Sequence, residues 1–93
     1  MKIQIDPHTL ERAEERGTNE QEIQEVIDTG FSVPGKHGRK GKGKVFEFKR
    51  KRHGKFYEHK RVEVFYTIEG GSIITVTVYV FYGKWEEKDA DPV

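Results

Sequence analysis

Residues 45–62 read VFEFKRKRHGKFYEHKRV, and this stretch decides how the second half of the chain folds. From its first residue onward the sequence has a period of two, which is typical of β-strands, and His53-Gly54 in its middle suits a tight two-residue turn. A hairpin closed by this turn places Glu47 opposite Lys60, so that opposite charges meet across the strands. The stretch therefore predicts two antiparallel strands joined by a tight turn.

The period of two continues beyond this hairpin, through residues 61–68 and residues 73–82. These runs predict a further antiparallel pairing, so the second half of the chain is expected to form three strands in succession. A three-residue loop over 70–72 would align the apolar residues of the two runs on one face of the sheet, with Val62 opposite Val80. We therefore expect the longer loop at this second turn.

The first half of the chain carries helix signals. Residues 2–5 predict a short edge strand, Asp6 and Gly17 suit the two ends of a first helix, and a second helix is expected from Thr18 to Gly30. The helix residues expected to face the sheet are Leu10, Ala13, Ile23, Val26 and Ile27. The predicted fold class is α+β, with a short N-terminal strand, two helices and a three-stranded antiparallel meander, both helices packing on one face of the sheet.

Composition limits what such a chain can do. Its 93 residues, 33% hydrophobic and 35% charged, predict one domain over 1–93. The absence of cysteine excludes disulfides, thiolate catalysis and cysteine-based metal sites. The histidines have no metal-ligand spacing, so neither a metal nor another cofactor is expected. No run approaches the roughly 20 apolar residues of a membrane span, so we expect no membrane association and a cytoplasmic location.

Charge is segregated along the chain. Residues 31–61 hold 12 Lys and Arg against 2 acidic residues, whereas the flanking thirds have net charges of −5 and −4. This block predicts a polyanionic partner such as RNA or the ribosome, the alternative being a solvated basic face. Within it, 36–44 is expected to be a flexible basic loop, although its G-x-x-x-x-G-K pattern lacks the Ser/Thr and the strand-to-helix setting of a phosphate loop. Residues 86–93 are expected to form a flexible acidic tail.

The predicted registers leave aromatic and basic side chains on the sheet face that points away from the helices. Aromatic rings stack with unpaired bases while Lys and Arg hold phosphates, so this face and the basic loop suit single-stranded RNA. The residues expected to bind nucleic acid are Lys36, Arg39, Lys40, Lys42, Lys44, Phe46, Phe48, Lys49, Lys51 and Arg52. The alternative is a second small core, formed by Phe46, Phe65 and Phe81 beneath Trp85.

RNA cleavage is the chemistry that this face could perform. Attack by a 2′-hydroxyl needs a group to accept its proton, a group to protonate the leaving 5′-oxygen and cations for the charge of the transition state. The candidate catalytic residues, which require no metal, are Arg50, Tyr57, His59, Arg61 and Tyr79. The alternative for His59 is a packed or solvated strand residue.

The first helix sorts its charges into two columns. His8, Arg12 and Arg16 form a basic column, with acidic residues in the column beside it. The basic column is expected to extend the cationic surface or to hold an acidic partner. In the alternative, Arg12 pairs with Glu15 and Arg16 anchors the acidic tail.

Residues 8–30, HTLERAEERGTNEQEIQEVIDTG, followed by ITVTVY at 74–79, resemble an uncharacterised bacterial domain family that is related to the RelE/ParE and BrnT toxins. The resemblance implies a RelE-like fold, ribosome-dependent messenger RNA cleavage and an antitoxin partner. It makes Lys49, Arg50, Tyr57, Arg61 and Tyr79 positional candidates for the catalytic surface. The alternative it leaves is a non-enzymatic interaction module that binds an acidic protein, either an antitoxin or a gyrase-like target. The oligomeric state stays open.

Overall fold

Seven elements make up residues 1–86, the part of the chain described in the computed structural model. In chain order they are β1 (Lys2–Gln4), α1 (Pro7–Arg16), α2 (Glu20–Thr29), β2 (Phe31–Val33), β3 (Lys40–Arg52), β4 (Lys55–Glu69) and β5 (Ser72–Gly83). The strands form one five-stranded sheet in the order β1-β5-β4-β3-β2. β1 is parallel to β5, and the other neighbours are antiparallel. The fold is therefore α+β with a mixed sheet.

The two helices follow their sequence signals closely. α1 begins and ends where its predicted caps lie, and Gly17 closes it with a φ of +92°. The second N-cap prediction was wrong by one residue: Asn19 accepts a hydrogen bond from the Glu22 amide at 2.9 Å, while Thr18 instead donates its hydroxyl proton to the Glu22 carboxylate. Within residues 1–86, no helix is long and apolar enough to span the lipid bilayer.

The core lies between the helices and one face of the sheet. Its buried residues are Ala13, Ile23, Val26, Ile27, Val62, Val64, Tyr66, Ile73 and Val78. Leu10 was expected here but is 38% exposed, and Thr9 takes the buried position on α1. The Thr9 hydroxyl accepts a 3.1 Å hydrogen bond from Thr75, which itself accepts one from the Asp6 amide, so this polar pair is satisfied.

The β3–β4 hairpin has the predicted two-residue turn but a different register beyond it. A bulge near Lys49, whose φ is +46°, shifts the pairing by one residue. Glu47 therefore faces His59, and Phe46 faces Lys60. The predicted Glu47–Lys60 pair is therefore wrong. The same shift turns the Phe46 side chain towards the helices, where it packs against the core.

The β4–β5 hairpin departs from its prediction twice, and the two departures cancel. Its turn has two residues, 70–71, so that Glu69 pairs with Ser72. Farther along, a bulge adds one residue to β5 and restores the predicted register, with Val62 opposite Val80. The three-residue loop was wrong, but the faces of the distal strands are as expected.

The expected basic loop over 36–44 is much shorter in the structure. β2 pairs with β3, which already begins at Lys40, so residues 40–44 belong to a strand. The connection closes in a tight turn in which the Arg39 amide donates to the Lys36 carbonyl at 3.1 Å. His37 and Gly38 both have positive φ, as a hairpin turn of this kind requires. The predicted acidic tail lies, beyond its first residue, outside the described residues.

Candidate functional site

The sheet face opposite the helices is the candidate site, and we refer to it as the open face. Its strands meet in four rows, Gly41–Phe65–Thr77, Gly43–Glu63–Tyr79, Val45–Arg61–Phe81 and Glu47–His59–Gly83, with Phe31 and Val33 of β2 alongside. Tyr79 is 42% and Phe81 47% exposed. Aromatic rings and a guanidinium group thus lie in neighbouring rows of a surface that no helix covers within residues 1–86.

Two glycines of β3 let the neighbouring side chains lie against the strand. A Cβ atom on Gly43 would come within 3.0 Å of the Phe31 ring. One on Gly41 would come within 2.6 Å of the Val33 side chain and 2.8 Å of the Phe65 ring. The GKGK repeat at 41–44 is therefore part of a strand that has glycines, which carry no side chain, on the open face and lysines on the helix side.

A cavity of about 300 Å³ opens where the β2–β3 turn meets the open face. Its lining residues are Pro34, Lys36, His37, Arg39, Phe65, Thr77 and Tyr79. The Phe65 and Tyr79 rings meet edge to face with their centroids 5.9 Å apart. Cationic side chains of the turn and aromatic side chains of the sheet therefore line the same space.

In the middle of the open face, Arg61 is held by its own strand. Its Nε donates to the Glu63 carboxylate at 2.8 Å, and both side chains are partly buried. The guanidinium carbon lies 4.8 Å from the centre of the Phe31 ring. The carboxylate neutralises much of this cation, so the centre of the face is less positive than the sequence indicates.

At the far end of the open face, His59 accepts a hydrogen bond at Nδ1 from the Trp85 amide, at 3.1 Å. The Trp85 ring lies against Gly83. Phe46 packs with the helices and Phe81 remains 47% exposed, so the alternative of a second core formed by these phenylalanines beneath Trp85 is wrong for the described residues.

Several predicted nucleic-acid residues lie on the helix side of the sheet. Lys42 faces the buried Val64 across the strands, and Lys40 and Lys44 share its face because they are two residues away. Lys44 bonds to the Glu25 carboxylate at 2.7 Å. The three lysines, expected in the basic loop, and Phe46, expected on the open face, therefore lie on the helix side of the sheet.

Side chains near the tip of the β3–β4 hairpin gather around Tyr82 of β5 and form a second cationic and aromatic cluster. The Phe48 and Tyr57 ring centres lie 5.1 and 5.5 Å from the Tyr82 ring. Arg50 stacks on Phe48 and Arg52 on Tyr82, with guanidinium carbons 4.7 and 4.9 Å from the ring centres. Of the other two predicted residues here, Lys49 lies 3.7 Å from the Glu47 carboxylate and Lys51 is exposed.

Tyr82 itself ties this cluster to α1. Its hydroxyl donates to the Arg16 carbonyl at 2.6 Å, and Arg52 donates to the Glu15 carbonyl at 3.0 Å. Burial raises the pKa of the Tyr82 phenol above its ordinary value of 10.0, partly opposed by the nearby Arg52 charge. The cluster thus has a structural part in joining the hairpin to the helix.

The candidate catalytic residues are divided between these two places. His59, Arg61 and Tyr79 are on the open face, whereas Arg50 and Tyr57 have their contacts at the hairpin tip. No hydrogen bond within residues 1–86 joins the two groups. The structure therefore brings three of the five candidates to one surface.

The basic column of α1 does not act as a unit. His8 and Glu11 form an exposed pair at 3.6 Å, and Arg12 is exposed. Arg16 reaches around the edge of β5, donates to the Val78 carbonyl and places its guanidinium 5.1 Å from the Tyr79 ring centre. Arg16 thus anchors β5 and brings its charge beside a ring of the open face, whereas its predicted anchoring of the acidic tail involves residues that lie outside the described part of the chain.

Four lining residues of the cavity, Pro34, His37, Phe65 and Thr77, were not among the predicted binding or catalytic residues, although the predicted register did place Phe65 and Thr77 on this face. The available signals were His37-Gly38, which suits a tight turn, and the alternation of glycine and lysine over 41–44, which has the period of a strand.

Within residues 1–86, fold and site together define a small α+β protein whose aromatic and cationic sheet face no helix covers. No family model matches the chain, and neither the curated proteins nor the solved structures gave a match. Among the described residues, no group of three or more His, Asp or Glu side chains is arranged to hold a metal ion. The geometry of the open face is therefore the basis for assigning a function.

Proposed function

We propose that this chain is a toxin-type protein of RelE-like architecture that binds single-stranded RNA on its open face and cleaves it. The observation that carries the proposal is the exposure of Tyr79 and Phe81 in neighbouring rows, beside a turn that carries Lys36 and Arg39. Exposed aromatic rings suit bases, which stack on them for about 1–3 kcal/mol each, and cations suit the phosphates between them.

Three residues of the open face suit the chemistry of RNA cleavage. His59 accepts a hydrogen bond at Nδ1 from the Trp85 amide, so its ring proton is on Nε2. This N–H can donate a hydrogen bond to a phosphate oxygen or to the leaving 5′-oxygen, while solvent water accepts the proton of the attacking 2′-hydroxyl and returns one to the 5′-oxygen. Arg61 uses Nε for Glu63 and keeps its terminal nitrogens for a phosphate oxygen, while the Tyr79 hydroxyl is a third polar group on the same face.

The proposal is tested by adding the purified protein to translating ribosomes with a reporter message and mapping the new 5′ ends. We expect cleavage sites that disappear with His59→Ala and with Arg61→Ala. Lys2→Ala, which changes an exposed cation on β1, is the matched control and should cleave like the wild type. Equal cleavage by the wild type and the His59 variant would contradict the catalytic assignment.

The second candidate is a non-enzymatic module that binds an acidic protein, either an antitoxin or a gyrase-like target. The division of the five candidate catalytic residues and the pairing of Arg61 with Glu63 favour it, because neither feature is needed for binding carboxylates. In this case the wild type cleaves no RNA, and its salt-sensitive binding is to an acidic polypeptide in preference to RNA.

A further inference from the structure

The cavity beside the β2–β3 turn combines the two kinds of side chain that a nucleotide needs. Phe65 and Tyr79 supply two aromatic rings that meet edge to face. Lys36 and Arg39 supply positive charge from the turn above them. Thr77 adds a hydroxyl group to the same lining.

We propose that this cavity binds one unstacked nucleotide of a single-stranded RNA, with its base against Phe65 and Tyr79 and its phosphate at Lys36 and Arg39. The inference rests on the proposed RNA binding of the open face. It names the place where one nucleotide would be held, which would fix how the RNA chain is aligned along that face. The hydroxyl of Thr77 and the imidazole of His37 are the groups available to the edge of the base.

The lining favours a nucleotide over an acidic peptide. Carboxylates need only the cations, and two aromatic rings in the same space would add nothing to their binding. A nucleobase uses both, because every base has a face that can stack and a phosphate beside it. The volume, about 300 Å³, is at the small end of ligand cavities, which suits one nucleotide and not a folded partner.

The backbone holds this cavity in shape. Gly35 packs so closely on the turn that a Cβ atom there would come within 2.1 Å of the Arg39 carbonyl oxygen. On the sheet side, the Phe65 ring lies against Gly41. The backbone of the turn and the Phe65 ring are therefore in place before a ligand arrives, which lowers the ordering cost of binding.

The first measurement uses NMR titration of the full chain with adenosine monophosphate and, separately, with an unstructured RNA of about ten nucleotides. We expect saturable amide shifts with both ligands, centred on residues 36–39 and on Phe65, Thr77 and Tyr79. A glutamate-rich peptide is the competing ligand and should leave the Phe65 and Tyr79 ring signals in place.

Two variant pairs separate charge from stacking. Lys36→Ala with Arg39→Ala is compared with Lys2→Ala with Arg12→Ala, which removes the same charge from exposed positions outside the cavity. Phe65→Leu is compared with Phe56→Leu, a ring that is 51% exposed at the other hairpin. We expect each cavity variant to weaken RNA binding about tenfold and each control less than twofold.

A base-specific readout comes from RNA that carries 2-aminopurine, whose fluorescence falls when the base stacks. Quenching should depend on one position of the strand and should be lost in Phe65→Leu but retained in Phe56→Leu. Because Phe65→Leu could disturb the sheet, its far-ultraviolet circular dichroism is compared with that of the wild type. The Lys36/Arg39 variant, in which both changes lie on an exposed turn, provides the independent test.

The outcomes are distinguishable. RNA binding that persists without saturable shifts at the cavity, or that falls equally in the control pair, overturns the nucleotide subsite and leaves the proposed function standing. Absence of RNA binding by the wild type overturns the proposed function and the subsite with it. Equal ring shifts with the glutamate-rich peptide overturn the subsite in favour of an acidic polypeptide ligand.

Discussion

The two faces of the sheet use alternate residues of the same strands, yet they hold their cations differently. Lys60 on the helix side is 5% exposed and donates to the Gly17 carbonyl and the Glu22 carboxylate, at 2.8 and 2.7 Å. Its neighbour Arg61, on the open face, pairs with Glu63 of its own strand. The first cation joins a strand to both helices, whereas the second makes its ion pair within one strand.

This difference explains what the segregated charges of the sequence do. The acidic helices and the basic strands attract each other within the chain, since Glu22 binds Lys60 and Glu25 binds Lys44. Strand alternation sends every second residue of the basic segment towards those helices. A basic segment therefore overstates the charge offered to a partner whenever the opposite face of its strands packs on acidic elements.

The largest expected effect comes from breaking the helix-side pairing. We expect Lys60→Ala to lower the free energy of unfolding by about 3–5 kcal/mol, because it leaves the Gly17 carbonyl without its donor and the Glu22 carboxylate without its cation, with only the Thr18 hydroxyl still donating to it. Arg61→Ala should cost less, since the Arg61 side chain is 22% exposed where the Lys60 side chain is 7%, and its ion pair joins residues of one strand only. Urea denaturation of both variants measures the difference.

A double variant sharpens this result. Lys60→Met with Glu22→Gln removes both charges and keeps most of the packed volume, so it should be considerably more stable than Lys60→Ala. If the double variant is as unstable as Lys60→Ala, the loss comes from packing and the comparison between the two faces fails.

The next effect tests the close packing of the open face. Gly41→Ala should cost about 1–3 kcal/mol, because the added methyl group meets the Val33 side chain and carbonyl and the Phe65 ring. Gly83→Ala is the matched control, since its Cβ would lie 3.5 Å from Trp85, at ordinary contact distance. Thermal unfolding of the two variants measures the difference in stability. Equal losses of stability in Gly41→Ala and Gly83→Ala would show that Gly41 has no special packing role.

Local signals predicted the parts of the fold that local chemistry decides. The ends of α1 follow from Asp6 and Gly17, and the β3–β4 turn follows from His53-Gly54. The bulge near Lys49 has no comparable signal, because it depends on whether Phe46 reaches the core formed by distant elements. Register is a tertiary property here, and its prediction failed between β3 and β4 beyond this bulge.

The part of the candidate site on β4 and β5 was predictable, because the predicted register of these two strands is right beyond their bulge. Three rows of β4 and β5, containing Arg61, Glu63 and Phe65, were assigned to the correct face. The cavity could not be found, because it requires β2, a three-residue strand next to a glycine-rich segment whose composition indicates a flexible loop. The GKGK alternation becomes informative only once its strand partners are known.

A smaller effect concerns the edge of β5, where Arg16 of α1 crosses from the helix side to the open face. Beyond its short pairing with β1, this edge has no strand neighbour among residues 1–86. We expect Arg16→Ala to cost about 1 kcal/mol, from the loss of its bond to the Val78 carbonyl, and to increase self-association at the exposed edge. Chemical denaturation and light scattering measure both effects, and exposed Arg12→Ala, the control, should change neither.

The smallest effect is a pH dependence at Tyr82, on the helix side. Its pKa is raised in the folded chain, so above its ordinary value of 10.0 the unfolded chain releases this proton first. The unfolded state then binds fewer protons than the folded state, and stability falls as pH rises through this range. We expect the stability lost between neutral pH and the alkaline range to be smaller in Tyr82→Phe than in the wild type, as measured by urea denaturation. The same loss of stability at alkaline pH in both proteins would assign the pH dependence to other groups. It would show that the Tyr82 phenol does not contribute to the difference between the two faces.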